Sequence, residues 1–200
     1  MESGDRGGNI ERVEMEVKYL NTELEKKGIL SKSIAKYEAP QDVRHMGYLV
    51  VNKAEGADDQ FVYLPSSRRV RRVNLRGESV VGTDFALEDI IPPEFEDATY
   101  LRLPDETVLE IDCFVVEVTP TEESDSNYTK IVAYVEKDHY VPLRNVYWDN
   151  QGVKIKELWV EPSSITRHEA IDKSGLKEVW VAQKSKITNL KLESFTTLDV

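Results

Sequence analysis

The chain has 200 residues, of which 40% are hydrophobic and 32% charged, with 26 Lys+Arg against 37 Asp+Glu. That length and balance suit one globular domain with a sizeable core. The net charge of −11 sets aside nucleic acid or an anionic membrane as partner of the whole surface, but not a local basic stripe that binds an anion.

Taken from the N-terminus, MESGDRGGNI is polar and glycine-rich, with no charged region leading into an apolar one, so no signal peptide is visible. VEMEVKYL alternates: Val13, Met15, Val17 and Tyr19 fall on one face, Glu14, Glu16 and Lys18 on the other. A strand with one buried and one wet face reads this way. LNTELEKKGILSKSIAKYE, interrupted by Gly28, reads as strand–turn–strand. GYLVVN and QFVYL pair through the polar loop KAEGADD, and RVRRVN (Arg69–Asn74) continues the pattern. In TDFALEDI, Thr83 or Asp84 as N-cap predicts one or two helical turns. TVLEIDCFVVEVTP (Thr107–Pro120) reads as one long strand, followed by the loop TEESDSN and the strand YTKIVAYVEK. YVPLRNVYWDNQGVKIKELWVE is the clearest hairpin, because Asp149-Asn150-Gln151-Gly152 tolerates positive φ between two alternating runs. ITRHEAID, a KSG turn, LKEVWVAQK and KITNLKLESFTTLDV complete roughly nine or ten strands. No apolar run approaches the ~18 residues that span a bilayer. Long antiparallel strands with little helix close into a barrel, wrap as a half-barrel, or stack as a sandwich.

The residue types of common catalytic sites do not assemble. His45, His139 and His168 are far apart, and the single cysteine, Cys113, permits no internal disulfide and argues against structural zinc. Cys113 lies between apolar neighbours and reads as a small buried hydrophobe rather than a nucleophile. There is no G-x-S-x-G, P-loop or dinucleotide fingerprint. Carboxylate pairs such as Glu88–Asp89 and Glu122–Glu123 read as solvated faces in so acidic a chain. No enzyme, cofactor or metal is therefore expected.

One stretch resists this bland reading. FVYLPSSRRVRRVNLRGESVVGTDFALEDI holds five arginines, Arg68, Arg69, Arg71, Arg72 and Arg76, within nine residues. As a strand, RVRRVN carries charge on both faces, so one arginine or two must face the buried side. A buried arginine is costly unless paired, and Asp84, Glu88 and Asp89 follow closely. The favoured expectation is a salt-bridge network that pins GTDFALED to the sheet. Binding of an anion, whether lipid headgroup, phosphate or partner, is the second, and nucleic acid is set aside.

At these residues the chain resembles the LolA-like outer-membrane lipoprotein-sorting proteins. It is most similar to a branch that reads aromatic-x-Tyr-Leu-Pro-x-x-Arg-Arg-x-Arg-Arg, then Gly-Ser/Thr-Asp-Phe-x-x-Glu-Asp. The matching residues are Tyr63, Leu64, Pro65, Arg68, Arg69, Arg71, Arg72, Gly82, Asp84, Phe85, Glu88 and Asp89. APQDVRHMGYLVV, CFVVEVTP and VPLRNVYWDNQGVKIKEL extend the likeness over nearly the whole chain from Asp5. The resemblance implies a mainly β fold: a curved antiparallel sheet or unclosed β-barrel, with one or two short helices as lid over an apolar concave face. It implies a non-enzymatic periplasmic carrier of an acylated lipoprotein or other lipid bound for the outer membrane. The alternative is an accessory module that docks on an inner-membrane exporter of the RND type. It assigns the arginines no role. Residues 1–200 then form a single LolA-like domain lacking the family's signal peptide and first helix before Asp5, and its end after Val200. First and last strands left exposed in this way would be able to pair between chains.

Overall fold

The computed structural model of the chain describes residues 1–21, 28–56, 58–73, 79–80, 82–90, 95–124, 126–172 and 175–200. Its strands are β1 (Glu2–Gly4), β2 (Ile10–Arg12), β3 (Glu14–Asn21), β4 (Ile29–Ala39), β5 (Gly47–Lys53), β6 (Asp59–Leu64), β7 (Arg69–Val73) and β8 (Ala98–Val108). β9 (Ile111–Pro120), β10 (Lys130–Glu136), β11 (Pro142–Trp148), β12 (Lys154–Val160), β13 (Ile165–Asp172), β14 (Gly175–Ala182), β15 (Lys184–Asn189) and β16 (Ser194–Asp199) follow. One α-helical turn, α1 (Leu87–Ile90), and three 3-10 turns (Phe95–Asp97, Glu122–Ser124 and Pro162–Ser164) interrupt them. A nine-stranded sheet runs β2-β1-β16-β15-β12-β11-β10-β9-β8, a five-stranded sheet runs β3-β4-β5-β6-β7, and β13 pairs with β14 alone. The fold is mainly β, antiparallel throughout, and not closed into a barrel.

Both large sheets turn one face to a common core. Tyr37, Tyr48 and Val50 come from the five-stranded sheet, and Leu143, Tyr147, Leu158, Val160 and Ile187 from the nine-stranded one. Val80, Phe85 and Leu87 lie in the same cluster. The segment expected to act as a lid is thus a strap built into the core, with Phe85 only 1% exposed. A Ser79–Ala86 bridge and the bond from Val80 N to Phe85 O (2.8 Å) close it into a tight turn. That turn needs the left-handed conformation of Gly82 (φ 71°).

Several expectations change. The described residues hold sixteen strands, because short pairings escape a reading by periodicity. The stretch Thr107–Pro120 is not one strand: β8 and β9 turn at Leu109 and Glu110, whose φ values are 51° and 65°. Two residues in that conformation make the tight turn a twisted hairpin prefers, but neither is a usual turn former. β8 had no alternation to announce it. Pro104 is tolerated there because β8 is an edge strand and its register shifts between Leu103 and Glu106. The chain ends are not open edges, since β1 pairs with β16 inside the nine-stranded sheet. The strand–turn–strand around Gly28 is β3–β4, although its turn residues 22–27 lie outside the described residues. The hairpin at Asp149–Gly152 forms as read. Gly152 has φ 72°, and Asp149 Oδ1 accepts from Gln151 N and Val153 N.

Candidate functional site

Strand register brings side chains from five strands into line. Tyr100 on β8 lies opposite Val118, Val118 opposite Ile131, Ile131 opposite Tyr147, and Tyr147 opposite Lys156 on β12. A neighbouring row runs Val116, Ala133, Asn145, Leu158 and Ile187. Directly opposed residues share a face. Here that face is the one turned to the core, since Tyr147, Leu158 and Ile187 belong to it. Over these rows lies a cavity of about 350 Å³. Tyr100, Val118, Ile131 and Ala133, with Pro120 and Pro142, supply its apolar wall. Glu88, Asp89 and Ile90 of α1 cover it, with Ser126 and Tyr128 alongside.

A buried ion pair fixes α1 to the sheet. The Asp89 side chain is fully buried and lies 3.3 Å from Lys156 Nζ. The Tyr128 hydroxyl donates to Asp89 Oδ1 at 2.9 Å and accepts from Lys156 Nζ at 3.0 Å. Ala86 N donates to Asp89 Oδ2 at 2.7 Å, half of a capping box at the start of α1. Burial pushes the Asp89 carboxyl above the usual carboxylate range, and Lys156 pulls it partly back. Burial, then the Asp89 charge, pushes the Tyr128 phenol up as well. Glu88 accepts from Ser126 Oγ at 2.6 Å and from Asn127 N at 3.3 Å.

The motif residues divide between two places. Tyr63, Pro65, Arg68, Arg69, Arg71 and Arg72 lie on the β6–β7 hairpin at the edge of the five-stranded sheet. Arg68 N donates to Pro65 O at 3.2 Å in its turn, and Arg68 has φ 51°. Gly82, Asp84, Phe85, Glu88 and Asp89 form the strap. The expected facing of the arginines is overturned: Arg69, Arg71 and Arg72 are exposed on both faces of β7. An edge strand open on one side leaves long cationic side chains free to reach water. The pairing expected for Asp84 and Asp89 is corrected too. Arg72 pairs with Asp59 on the adjoining strand, Asp89 with Lys156, and Asp84 with hydroxyls. Ser194 Oγ donates to Asp84 Oδ1 at 2.6 Å, and Thr196 Oγ1 to Oδ2 at 3.2 Å. Arg68, Arg69 and Arg71 form no ion pair among the described residues, and Arg76 lies outside them.

Sequence reasoning missed Lys156, Tyr128, Asn145 and Tyr147. A signal existed for two of them. Lys156 breaks the apolar face it shares with Leu158 and Val160, and Asn145 sits between Leu143 and Tyr147. A polar residue on an otherwise apolar face marks a site that needs partners. Cys113 is 0% exposed, as expected, and burial raises its thiol pKa. The described residues hold no cluster of three metal-ligating side chains, and none of their helices is long and apolar enough to cross a membrane.

The comparisons follow the same lines. A protein family described as "uncharacterized protein" matches residues 30–200. Among curated proteins, none matches the chain. The structure is similar to an outer membrane lipoprotein-sorting protein domain from Vibrio parahaemolyticus, at 28% identity and TM-score 0.81, over 99% of this chain and 79% of that one. It is similar to a DUF1329 family protein from Desulfovibrio piger at 25% identity and TM-score 0.82, with the same coverage. A LolA superfamily protein from Nitrosomonas europaea shares the fold at 18% identity and TM-score 0.73, again over 99% and 79% of the two chains.

Proposed function

Because the chain shares its fold with LolA-like outer-membrane lipoprotein-sorting proteins, we propose that it is a non-enzymatic carrier. It holds an acyl chain of a lipoprotein or other lipid in the cavity over β8–β11, on its way through the periplasm to the outer membrane. The observation that carries this reading is the cavity itself: about 350 Å³, walled by apolar side chains from four strands and covered by α1. Ligand sites occupy roughly 300–1,000 Å³, so one acyl chain suits this space. Each buried methylene contributes about 0.8 kcal/mol. Ten would contribute about 8 kcal/mol, the scale of a micromolar complex, before association costs. Hydrocarbon burial suffices for carriage, and no nucleophile, metal or cofactor is called on.

The test is native mass spectrometry of protein purified from a membrane-containing host, followed by organic extraction. Near-stoichiometric acyl lipid, lost in Ala133→Trp, is the expected result. An empty protein that also fails to bind a fluorescent acyl probe would remove the carrier reading.

A second reading has one observation in its favour. Arg68 in the turn and Arg69 and Arg71 on β7 are exposed beside Val70 at 64% exposure, on an edge strand of an otherwise acidic chain. Such an edge suits docking on an acidic partner, in line with an accessory module on an RND-type exporter of the inner membrane. Cross-linking through a cysteine introduced at Val70 would capture that partner. Loss of capture in Arg69→Glu/Arg71→Glu is expected, and capture indifferent to those charges would exclude this edge.

A further inference from the structure

We propose that the ligand is an anionic amphiphile, its tail in the cavity over β8–β11 and its carboxylate or phosphate head held by Arg102 and Lys137. This rests on the carrier reading and adds a head to the acyl chain. Strand register puts these cations next to the cavity. Arg102 lies opposite Val116, and so ends on β8 the row that runs through Ala133 and Asn145, both of which line the cavity. One step further along the strands, Phe114 lies opposite Val135, and Val135 opposite Pro142, another lining residue. Directly opposed residues share a face, so the apolar face continues from Ala133 and Pro142 to Phe114.

Both cations stand over the Phe114 ring. Arg102 Cζ is 4.9 Å from its centroid and Lys137 Nζ 5.3 Å. Arg102 Nη1 donates to Leu103 O and, at 3.3 Å, to Val115 O, which fixes the guanidinium where the β8–β9 register shifts. Asp105 joins the two: Arg102 pairs with its Oδ1, and Lys137 Nζ donates to its Oδ2 at 2.7 Å. Among the described residues neither cation pairs with another carboxylate. Two cations therefore share one anion. Each keeps N–H donors unused, since a guanidinium and an ammonium carry more than these bonds engage. Both side chains are partly exposed, and ion pairs so exposed contribute little, so an incoming anion breaks no strong contact. The next carboxylate along β9, Asp112, lies beyond Phe114 from the cavity and accepts from the Thr107 hydroxyl at 3.1 Å. An oxyanion over Phe114 accepts charge-assisted bonds from both cations and leaves its tail on the apolar face. A cationic head in the same place meets two like charges.

The experiment uses the full chain, stripped of lipid and loaded with a fluorescent apolar probe at pH 8 in low salt. The probe is displaced by dodecanoate, dodecyl phosphate, 1-dodecanol and dodecylammonium. Chain length is constant, so only the head differs. The better of the two anions is expected to displace the probe at about one-tenth the concentration of 1-dodecanol, the worth of one charge-assisted bond. Dodecylammonium is expected to be weakest. Phosphate ahead of carboxylate assigns the site to a phospholipid type of head, and the reverse order to a fatty acid, and either supports the proposal. Lys137→Gln and Arg102→Gln are each expected to remove most of the anion's advantage over 1-dodecanol. Asp105→Asn, which removes the competing carboxylate, is expected to enlarge it. These ratios are internal to each variant and move in opposite directions, so a general loss of stability does not imitate them. Anions no better than 1-dodecanol, or a ratio unmoved in Lys137→Gln or in Asp105→Asn, would overturn the anion site while leaving the carrier reading in place. Failure of the probe and all four compounds to bind would overturn both.

Discussion

At the scale of single residues, buried carboxylates here differ in what satisfies them. Glu136 accepts from the backbone N–H groups of Asp138, His139 and Val141 at 2.7–3.0 Å. Burial alone would raise its pKa, but those bonds, together with His139, hold it below the ordinary 4.5. Its contribution is therefore fully present above that ordinary value and lost as pH falls through the lower folded-state value. Glu136→Gln should lower the thermal midpoint at pH 7 and converge with the parent protein in strong acid, as calorimetry at several pH values would register. Asp89 has the opposite sign. Burial raises its pKa, so its proton-linked contribution is greatest below the ordinary carboxylate value and is lost as pH rises through the raised one. The arginines of β7 fall at the other extreme. Arg71→Ala removes an exposed side chain and should shift stability by no more than ~0.5 kcal/mol, read from urea unfolding. A larger loss would show that Arg71 holds the fold in place.

At the scale of the element, α1 and the strap before it owe their position to partners distant in sequence. Lys156→Met leaves the Asp89 carboxylate buried without its cation, and should cost about 3–5 kcal/mol. Asp89→Asn/Lys156→Met removes both charges and should recover most of that loss. A double variant as unstable as the single one would mean that packing of α1, not charge, is at stake. Gly82→Ala forces a side chain into the left-handed region, at about 1–2 kcal/mol. Its Cβ would also stand 2.7 Å from Glu11 Oε2, but that carboxylate is the end of a flexible side chain and can move aside. Chemical denaturation of Gly82→Ala measures the turn's share of the strap's stability.

At the scale of the whole molecule, the nine-stranded sheet, the five-stranded sheet and the strap between them bury one core and leave an apolar cavity of about 350 Å³ over β8–β11. The carrier reading makes that cavity separable from the fold. Ala133→Trp fills it from the sheet side and should abolish acyl-probe binding while leaving the far-ultraviolet circular dichroism spectrum and two-state unfolding intact. Full probe binding in this variant would locate the ligand elsewhere.

Local pattern was enough to read the strand-rich class, the β5–β6 pair, the Asp149–Gly152 hairpin and a helical turn within TDFALEDI, because alternation and turn residues act within a few residues of themselves. The burial of Cys113 was legible for the same reason. The turn at Leu109–Glu110 was not, since neither residue favours positive φ and the pairing of β8 with β9 imposes it. Nor was the placement of the arginines: whether RVRRV is central or at an edge depends on which strand, if any, comes next in the sheet. The cavity was hidden for a related reason. Tyr100, Val118, Ile131, Tyr147 and Lys156 are spread over more than fifty residues, and become neighbours only through the register of five strands. Asp89 was legible only as one of three carboxylates, with Asp84 and Glu88, that could meet the arginines, and the pair Glu88–Asp89 otherwise reads as a solvated face, whereas the Asp89 side chain is fully buried. Its partner, Lys156, could be found only where the folded sheet brings that lysine beneath α1.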